Sequence, residues 1–174
     1  SAFNLFKRLK DTGYEYDVLQ IKRADKPPNN DAMFRFASSR FNCYEIEMAS
    51  EEARDSSNRT HYIKKVLEFY KVLKQKNHYS AMISHSHEFA SHMAAMAIKE
   101  YNPELRWIAS FGDPIAANPF NESYKFPMLE VDSQTEALVL KKADRIVVTN
   151  GYQRDLVIAT QTQQLDNEKF FILP

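Results

Sequence analysis

Residues 79–112 read Tyr-Ser-Ala-Met-Ile-Ser-His85-Ser-His87-Glu88-Phe-Ala-Ser-His-Met-Ala-Ala-Met-Ala-Ile-Lys-Glu-Tyr-Asn-Pro-Glu-Leu-Arg-Trp-Ile-Ala-Ser-Phe-Gly112. A short apolar run is followed by an alanine-rich segment with helical periodicity and then by a second apolar run, which predicts a strand, a helix and a strand. The polar, titratable residues come where the first strand ends. Because open α/β sheets bind ligands outside the carboxyl ends of their strands, we expect chemistry at this His-x-His-Glu cluster.

The same alternation of strand and helix extends along the rest of the chain. It predicts strands over residues 16–21, 41–46, 81–84, 106–110, 145–149 and 170–173, and helices over residues 3–9, 63–76, 88–101, 129–142 and 152–160, with Thr60 as a helix cap. Short apolar strands separated by single helices indicate a parallel sheet with helices on both faces. The predicted fold class is therefore α/β and Rossmann-like, in one domain over residues 1–174.

Composition and charge exclude several classes of protein. The chain has 23 Lys plus Arg and 23 Asp plus Glu, so no overall field recruits nucleic acid, and no nucleic-acid partner is expected. The single cysteine, Cys43, excludes an internal disulfide and fits a reducing compartment, so we expect a cytoplasmic protein.

One predicted helix has an unbalanced charge. Residues 64–76, with Lys64 and Lys76 at the two ends, contain five lysines and one glutamate, which gives five minus one, or +4. Such a helix either contacts anionic lipid weakly at the inner face of a membrane or is simply a solvated face.

The two histidines of the cluster lie on the same side of the predicted strand, because strand side chains alternate with period two. Ser86 lies between His85 and His87, and Glu88 begins the following helix, where exposed backbone amides attract anions. A histidine at this place would act as a general base or hold charge on a sugar or phosphate. Alternatively, both histidines only cap and hydrogen-bond the turn.

Two further strand ends carry candidate residues. Gly112 permits a sharp turn or the close approach of a ligand, and Asp113 would accept hydrogen bonds from hydroxyl groups, unless the Asp-Pro pair forms only a turn. Thr149 and Asn150 end another strand near the same crevice, although loop geometry alone would also explain the Asn-Gly pair. His92, inside the intervening helix and off its apolar stripe, is predicted to be a surface or turn-packing residue.

Zinc binding is an alternative for the His-x-His pair. Such pairs occur in metal-dependent hydrolases, but a zinc site needs additional His or Asp ligands and supporting groups. His61 and His78 fall far from the other strand ends, so no metal site is expected. A metal-dependent hydrolase that uses His85 and His87 and a non-catalytic Rossmann-like interaction domain remain as alternatives.

Three motifs, taken in order along the chain, resemble those of a known family. They are Met82-Ile-Ser-His85-Ser-His87-Glu88, Trp107-Ile-Ala-Ser-Phe111-Gly112-Asp113-Pro114 and Ala143-Asp144-Arg145-Ile-Val-Val-Thr149-Asn150. Together they resemble the amino-terminal domain of family 4 retaining glycosyltransferases of the GT-B fold. The resemblance is clearest over residues 79–149, and the closing Phe171-Ile-Leu-Pro174 is similar to the strand that leads into the family's interdomain linker.

This resemblance implies that the chain is one half of a GT-B glycosyltransferase, the acceptor-side domain. The implied activity is transfer of a hexose from a nucleotide-sugar donor to a glycan or a lipid-linked, cell-envelope acceptor, with no cofactor besides that co-substrate. The family's first strand with its glycine-rich loop, and its carboxy-terminal donor-binding domain, are expected to lie outside this chain. The fragment alone is therefore expected to be inactive.

The resemblance also implies roles for particular residues. The family's active-site histidine corresponds to His87, with His85 as its neighbour, and the strand-end Asp-Pro position corresponds to Asp113, so these three are the candidate catalytic residues. The candidate substrate-binding residues at the same strand ends are Ser86, Glu88, Gly112, Thr149 and Asn150.

Overall fold

The computed structural model of the chain describes residues 2–23, 32–48, 56–86, 90–112, 126–161 and 165–173. The helices are α1 (Ala2–Leu9), α2 (Ala32–Ser38), α3 (Ser56–Lys76), α4 (Ala90–Tyr101), α5 (Phe126–Lys142) and α6 (Gly151–Thr160), with a short 3₁₀ helix at Asn167–Lys169. The strands are β1 (Asp17–Arg23), β2 (Asn42–Met48), β3 (Ala81–Ser86), β4 (Arg106–Phe111), β5 (Arg145–Val148) and β6 (Phe170–Ile172). Two compact units, Ser1–Tyr70 and Lys71–Pro174, divide the chain within α3.

The first unit contains a pair of parallel strands. β1 and β2 pair from Asp17 opposite Asn42 onward, and the Asn42 side-chain amide donates to Asp17 Oδ1 at 2.9 Å. Gly13, four residues after the end of α1, has a positive φ of 75°, which a glycine adopts without strain. The seven-residue helix α2 was not predicted, because two turns offer too few repeats for a periodic pattern to stand out.

Helix α3 begins at Ser56, so the prediction that Thr60 caps it is wrong. Polar residues suit the first turn of a helix, because its backbone amides have no partner inside the helix. Tyr62, Val66 and Tyr70 recur at four-residue spacing and are buried, which is the pattern of an amphipathic helix. Burial also raises the pKa of Tyr62 to about 12.

The second unit contains a four-stranded parallel sheet in the order β3-β4-β5-β6. The α/β, Rossmann-like fold class is thereby confirmed. Each strand pairs with the next one along the chain, and crossovers between parallel strands are right-handed. Because every crossover advances in the same direction, α4, α5 and α6 lie on one face of this sheet. These three helices thus differ from the predicted arrangement with helices on both faces. Among the described residues, no helix combines the length and the apolar character that crossing a bilayer requires.

The hydrophobic core of the second unit lies between this sheet and these helices. Alternate residues of the strands supply Trp107, Ala109, Phe111, Ile146 and Val148, and the helices supply Ala95, Val139, Leu140 and Val157, with Ala143 just after α5. This alternation assigns the other residues of each strand, including His85 and Ser110, to the opposite face.

Asp144 joins the elements at the amino end of the sheet. Its carboxylate accepts hydrogen bonds from Lys99 Nζ of α4 at 2.8 Å and from the backbone N–H of Trp107 in β4 at 2.7 Å. Partial burial raises the pKa of Asp144, but these two hydrogen bonds and the charge of Lys99 outweigh burial and lower it overall. An ion pair between Asp144 and Lys99 thus connects α4 to the start of β5 at the amino end of the sheet.

Candidate functional site

The carboxyl ends of three parallel strands lie side by side at one edge of the sheet. In the strand register, His85 of β3 is opposite Ser110 of β4, and Ser110 is opposite Val147 of β5. Gly112 and Thr149 directly follow the ends of β4 and β5. The structure therefore brings together the strand ends on which the sequence places candidate site residues.

Several candidates fall outside the described residues. These are His87, Glu88 and Asp113, and of Ser86 only the backbone, as the last residue of β3, is described. Among the described candidates, the structure brings His85 and Gly112 together at the end of the β3–β4 pair, and it places Thr149 and Asn150 at the beginning of α6.

His85 belongs to the strand and not to a turn after it. β3 continues to Ser86, two residues beyond its predicted end, so the half-buried His85 ring lies on the sheet face opposite α4. Its Nδ1 lies 3.1 Å from the Ser110 hydroxyl of the neighbouring strand, and its carbonyl oxygen accepts a hydrogen bond from Ser91 Oγ at 3.0 Å. The ring and the backbone of His85 are therefore held by two different elements, β4 and α4.

Gly112 lies against this histidine. A Cβ atom built on Gly112 would be 3.8 Å from Cε1 of His85, which is ordinary van der Waals contact, and its φ is not in the positive range. An alanine would fit at this position without backbone strain. The close approach between the end of β4 and the His85 ring is thus a feature of strand register and does not require glycine.

His92, in the first turn of α4, is the main correction to the sequence analysis. It is fully buried, whereas a surface or turn-packing position was predicted. Its Nδ1 lies 2.7 Å from Ser84 Oγ, and Ser84 Oγ accepts a hydrogen bond from Trp107 Nε1 at 2.8 Å. The ring lies on that of Phe111, with centroids 4.6 Å apart. Burial, together with the charge of His85, lowers the pKa of His92 to about 3, so the ring is uncharged near neutral pH.

The apolar stripe of α4 is rotated by comparison with the predicted one. The periodicity of this helix predicts a buried stripe of Ala90, Met93, Ala94, Ala97, Ile98 and Tyr101. Ala94 and Ile98 are buried as predicted, but the other buried residues are His92 and Ala95, and Tyr101 is 48% exposed. Alanine and methionine residues of α4 itself lie on most of its sides, so the difference in hydrophobicity between its faces is small. A different sequence signal points to the buried network. A buried tryptophan needs an acceptor for its N–H, and Ser84 is a polar residue in an otherwise apolar strand.

The end of β5 uses its polar residues to begin a helix. Asn150 caps α6 by accepting the backbone N–H of Gln153 at 2.8 Å, and Thr149 donates from its backbone N–H and its hydroxyl to Gln153 Oε1 at 2.9 and 2.8 Å. Gln153 is 3% exposed and was not a candidate in the sequence analysis. Both candidate side chains at this strand end thus hydrogen-bond within a local turn.

In the described parts of the chain, no three His, Cys, Asp or Glu side chains come together in a group that could hold a metal ion. His85, the described member of the His-x-His pair, has a serine hydroxyl beside its Nδ1. An imidazole so placed is oriented by a hydrogen bond, which also fits acid–base chemistry.

No protein-family model and no curated protein sequence matches this chain. The fold and the site themselves define its class, which is an α/β protein with a Rossmann-like parallel sheet. The carboxyl edge of that sheet carries an oriented histidine, His85, beside the glycine that follows the next strand.

Proposed function

We propose that this chain is the amino-terminal, acceptor-side domain of a GT-B retaining glycosyltransferase that moves a sugar from a nucleotide-sugar donor to a glycan or lipid-linked acceptor. The observation that supports this most directly is the hydrogen-bonded contact of His85 with Ser110 across two adjacent parallel strands, at the carboxyl edge of the sheet. Ligands of open α/β sheets bind at this edge. The motif resemblance described above supplies the reaction class.

The proposed roles follow from what each group can do chemically. His87, two residues after His85 in the chain, is the imidazole proposed to act at the reacting centre, where it holds or moves a proton near neutral pH. His85, held by Ser110, is proposed to orient residues 85–87 and to make a polar contact with the substrate. Asp113, which directly follows Gly112, accepts hydrogen bonds from hydroxyl groups of the acceptor.

The remaining candidates are proposed to bind substrate at the same site. Ser86 and Glu88 flank His87, Gly112 lies against His85, and Thr149 and Asn150 follow the neighbouring strand. Thr149 and Asn150 already make capping hydrogen bonds at the start of α6. They are therefore proposed to contact substrate only through their exposed atoms, since Asn150 is exposed and Thr149 is half-buried.

The membrane part of the proposal is a weak contact of the lysines of α3 with anionic lipid. Lys65 of α3 donates to the backbone carbonyl of Glu47, and the ammonium groups of Lys71 and Lys74 lie 4.9 and 5.3 Å from the ring centroid of Tyr101. Three of the five lysines therefore make contacts within the protein. Attraction of α3 to anionic lipid is proposed only as an aid to reaching a lipid-linked acceptor.

The test uses the two-domain protein that the proposal requires, incubated with nucleotide hexoses and a glycan and lipid extract as acceptor. Mass spectrometry of the released nucleotide and of the glycosylated product measures turnover. His87→Ala is expected to lower kcat by roughly 10²- to 10⁴-fold, the usual contribution of a proton-transferring group. The matched control is Asp166→Asn, a change in the cap of the 3₁₀ helix before β6, which is expected to keep wild-type turnover.

Other outcomes would replace the proposal. Unchanged turnover in His87→Ala removes the proposed role of this histidine. Stoichiometric zinc by elemental analysis, with hydrolysis and no transfer, would favour a metal-dependent hydrolase. An encoded sequence with no second Rossmann-like domain after Pro174 would favour a non-catalytic interaction domain.

A further inference from the structure

Three buried side chains form a hydrogen-bonded chain beneath the carboxyl edge of the sheet. The indole N–H of Trp107 can only donate, so Ser84 Oγ accepts from it at 2.8 Å. Ser84 Oγ is also 2.7 Å from His92 Nδ1. All three residues are at most 5% exposed, so the direction of each hydrogen bond matters.

Hydrogen-bond counting selects one tautomer of His92. If the Ser84 hydroxyl donates to Nδ1, the histidine proton is on Nε2, and of the polar groups of these three side chains only Nε2–H lacks a partner. If Nδ1 instead carries the proton and donates, both the Ser84 hydroxyl hydrogen and Nε2 lack a described partner. Because an unsatisfied buried polar group is costly, the first arrangement is favoured.

The same helical turn also holds the next residue of β3. Ser91 Oγ donates to the carbonyl oxygen of His85, while His92 accepts from Ser84. Consecutive residues of α4 therefore hold consecutive residues of β3. On the opposite face, the His85 ring is held by Ser110. The end of β3 is fixed from both faces of the sheet.

We infer that His92, with its proton on Nε2, is a positioning residue of the proposed site. It accepts the Ser84 hydroxyl hydrogen and thereby fixes the end of β3, from which His85 is presented and which leads directly into His87. This inference rests on the proposed function for its catalytic consequence. Its structural consequence, control of the His85 ring by a residue on the other face of the sheet, is measurable without any substrate.

The experiment compares two variants of the full chain, with a third in reserve. His92→Phe keeps a ring against Phe111 but has no acceptor, and His92→Asn keeps an acceptor near the position of Nδ1. Should His92→Phe not fold, His92→Gln replaces it, because its amide reaches toward the Nε2 position. Trp107 is the only tryptophan, so its indole N–H gives a single NMR signal that reports directly on the Ser84 hydrogen bond.

We expect the indole signal of Trp107 and the ring signals of His85 to move in His92→Phe and to return toward wild type in His92→Asn. Nitrogen chemical shifts of His92 in the wild type should show a proton on Nε2. In the two-domain protein, His92→Phe should lower kcat by roughly 100-fold with little change in KM, as expected for misplacement of a catalytic group. His92→Asn should recover most of that loss.

The outcomes separate this inference from the proposed function. If His87→Ala abolishes transfer while His92→Phe keeps wild-type kcat and wild-type His85 signals, the inference is overturned and the proposed function stands. If the wild type shows no transfer but the His85 signals respond to His92→Phe, the proposed function fails and the positioning of His85 by His92 stands. A proton on Nδ1 of His92 would overturn the inference directly.

Discussion

The ends of β3 and β5 lie along the same edge of one sheet and use their polar residues in opposite ways. At the end of β3, the side-chain pairs are distant in sequence: His85 with Ser110, and Ser84 with Trp107. At the end of β5, the hydrogen bonds of Thr149 and Asn150 stay within the turn that begins α6. The polar contacts at the end of β3 therefore cross between elements, whereas those at the end of β5 stay within one turn.

The two networks also differ in what their removal costs. The network below β3 is buried, so a missing partner leaves polar groups that water does not reach. The cap of α6 is at an exposed residue, where water replaces a lost hydrogen bond in part. Substitutions at the end of β3 should therefore be the more destabilising ones.

The largest effect is expected for Ser84→Ala. This change leaves the Trp107 indole N–H and His92 Nδ1 buried without their common partner, and two such groups cost about 2–6 kcal/mol of the free energy of unfolding. Urea unfolding followed by circular dichroism measures the difference. A loss below about 1 kcal/mol would show that the buried network does not distinguish the end of β3 from that of β5.

The next effect concerns pH. A histidine in the unfolded chain titrates near 6.5 and the folded His92 near 3, so between these values the unfolded state binds more protons. Stability should therefore fall as the pH is lowered from about 6.5, by up to about 1.4 kcal/mol per pH unit from this group. Denaturant unfolding at several pH values should show that the free energy of unfolding depends less steeply on pH in His92→Asn than in the wild type. Equal slopes would contradict the buried, uncharged state of His92.

The smallest effect is expected for Asn150→Ala at the start of α6. Loss of this cap typically costs about 1 kcal/mol, and Asn150→Gly should cost only a few tenths. The same urea experiment compares both variants with Ser84→Ala. If Asn150→Ala were as destabilising as Ser84→Ala, water would not be replacing the lost cap hydrogen bond, and the two strand ends would not differ in the way described.

Much of the fold was predictable because its signals are local. Short apolar runs identified all six described strands within about two residues, and periodic segments identified five of the six α-helices, α2 being the exception. The gathering of His85, Gly112 and Thr149 at one edge was also predictable, since parallel strands align their carboxyl ends. His92 was missed because its burial depends on which face of α4 meets the sheet, and alanines obscure that face.

The sequence by itself determined the alternation of strand and helix, the parallel sheet that follows from it, and the places where polar residues end the strands. Only the tertiary structure decided the order β3-β4-β5-β6 and the partners that this order creates. Ser110 reaches His85, and Trp107 and His92 reach Ser84, through strand register and helix rotation. Register and rotation are set by packing between segments that are distant in sequence, which no local pattern encodes.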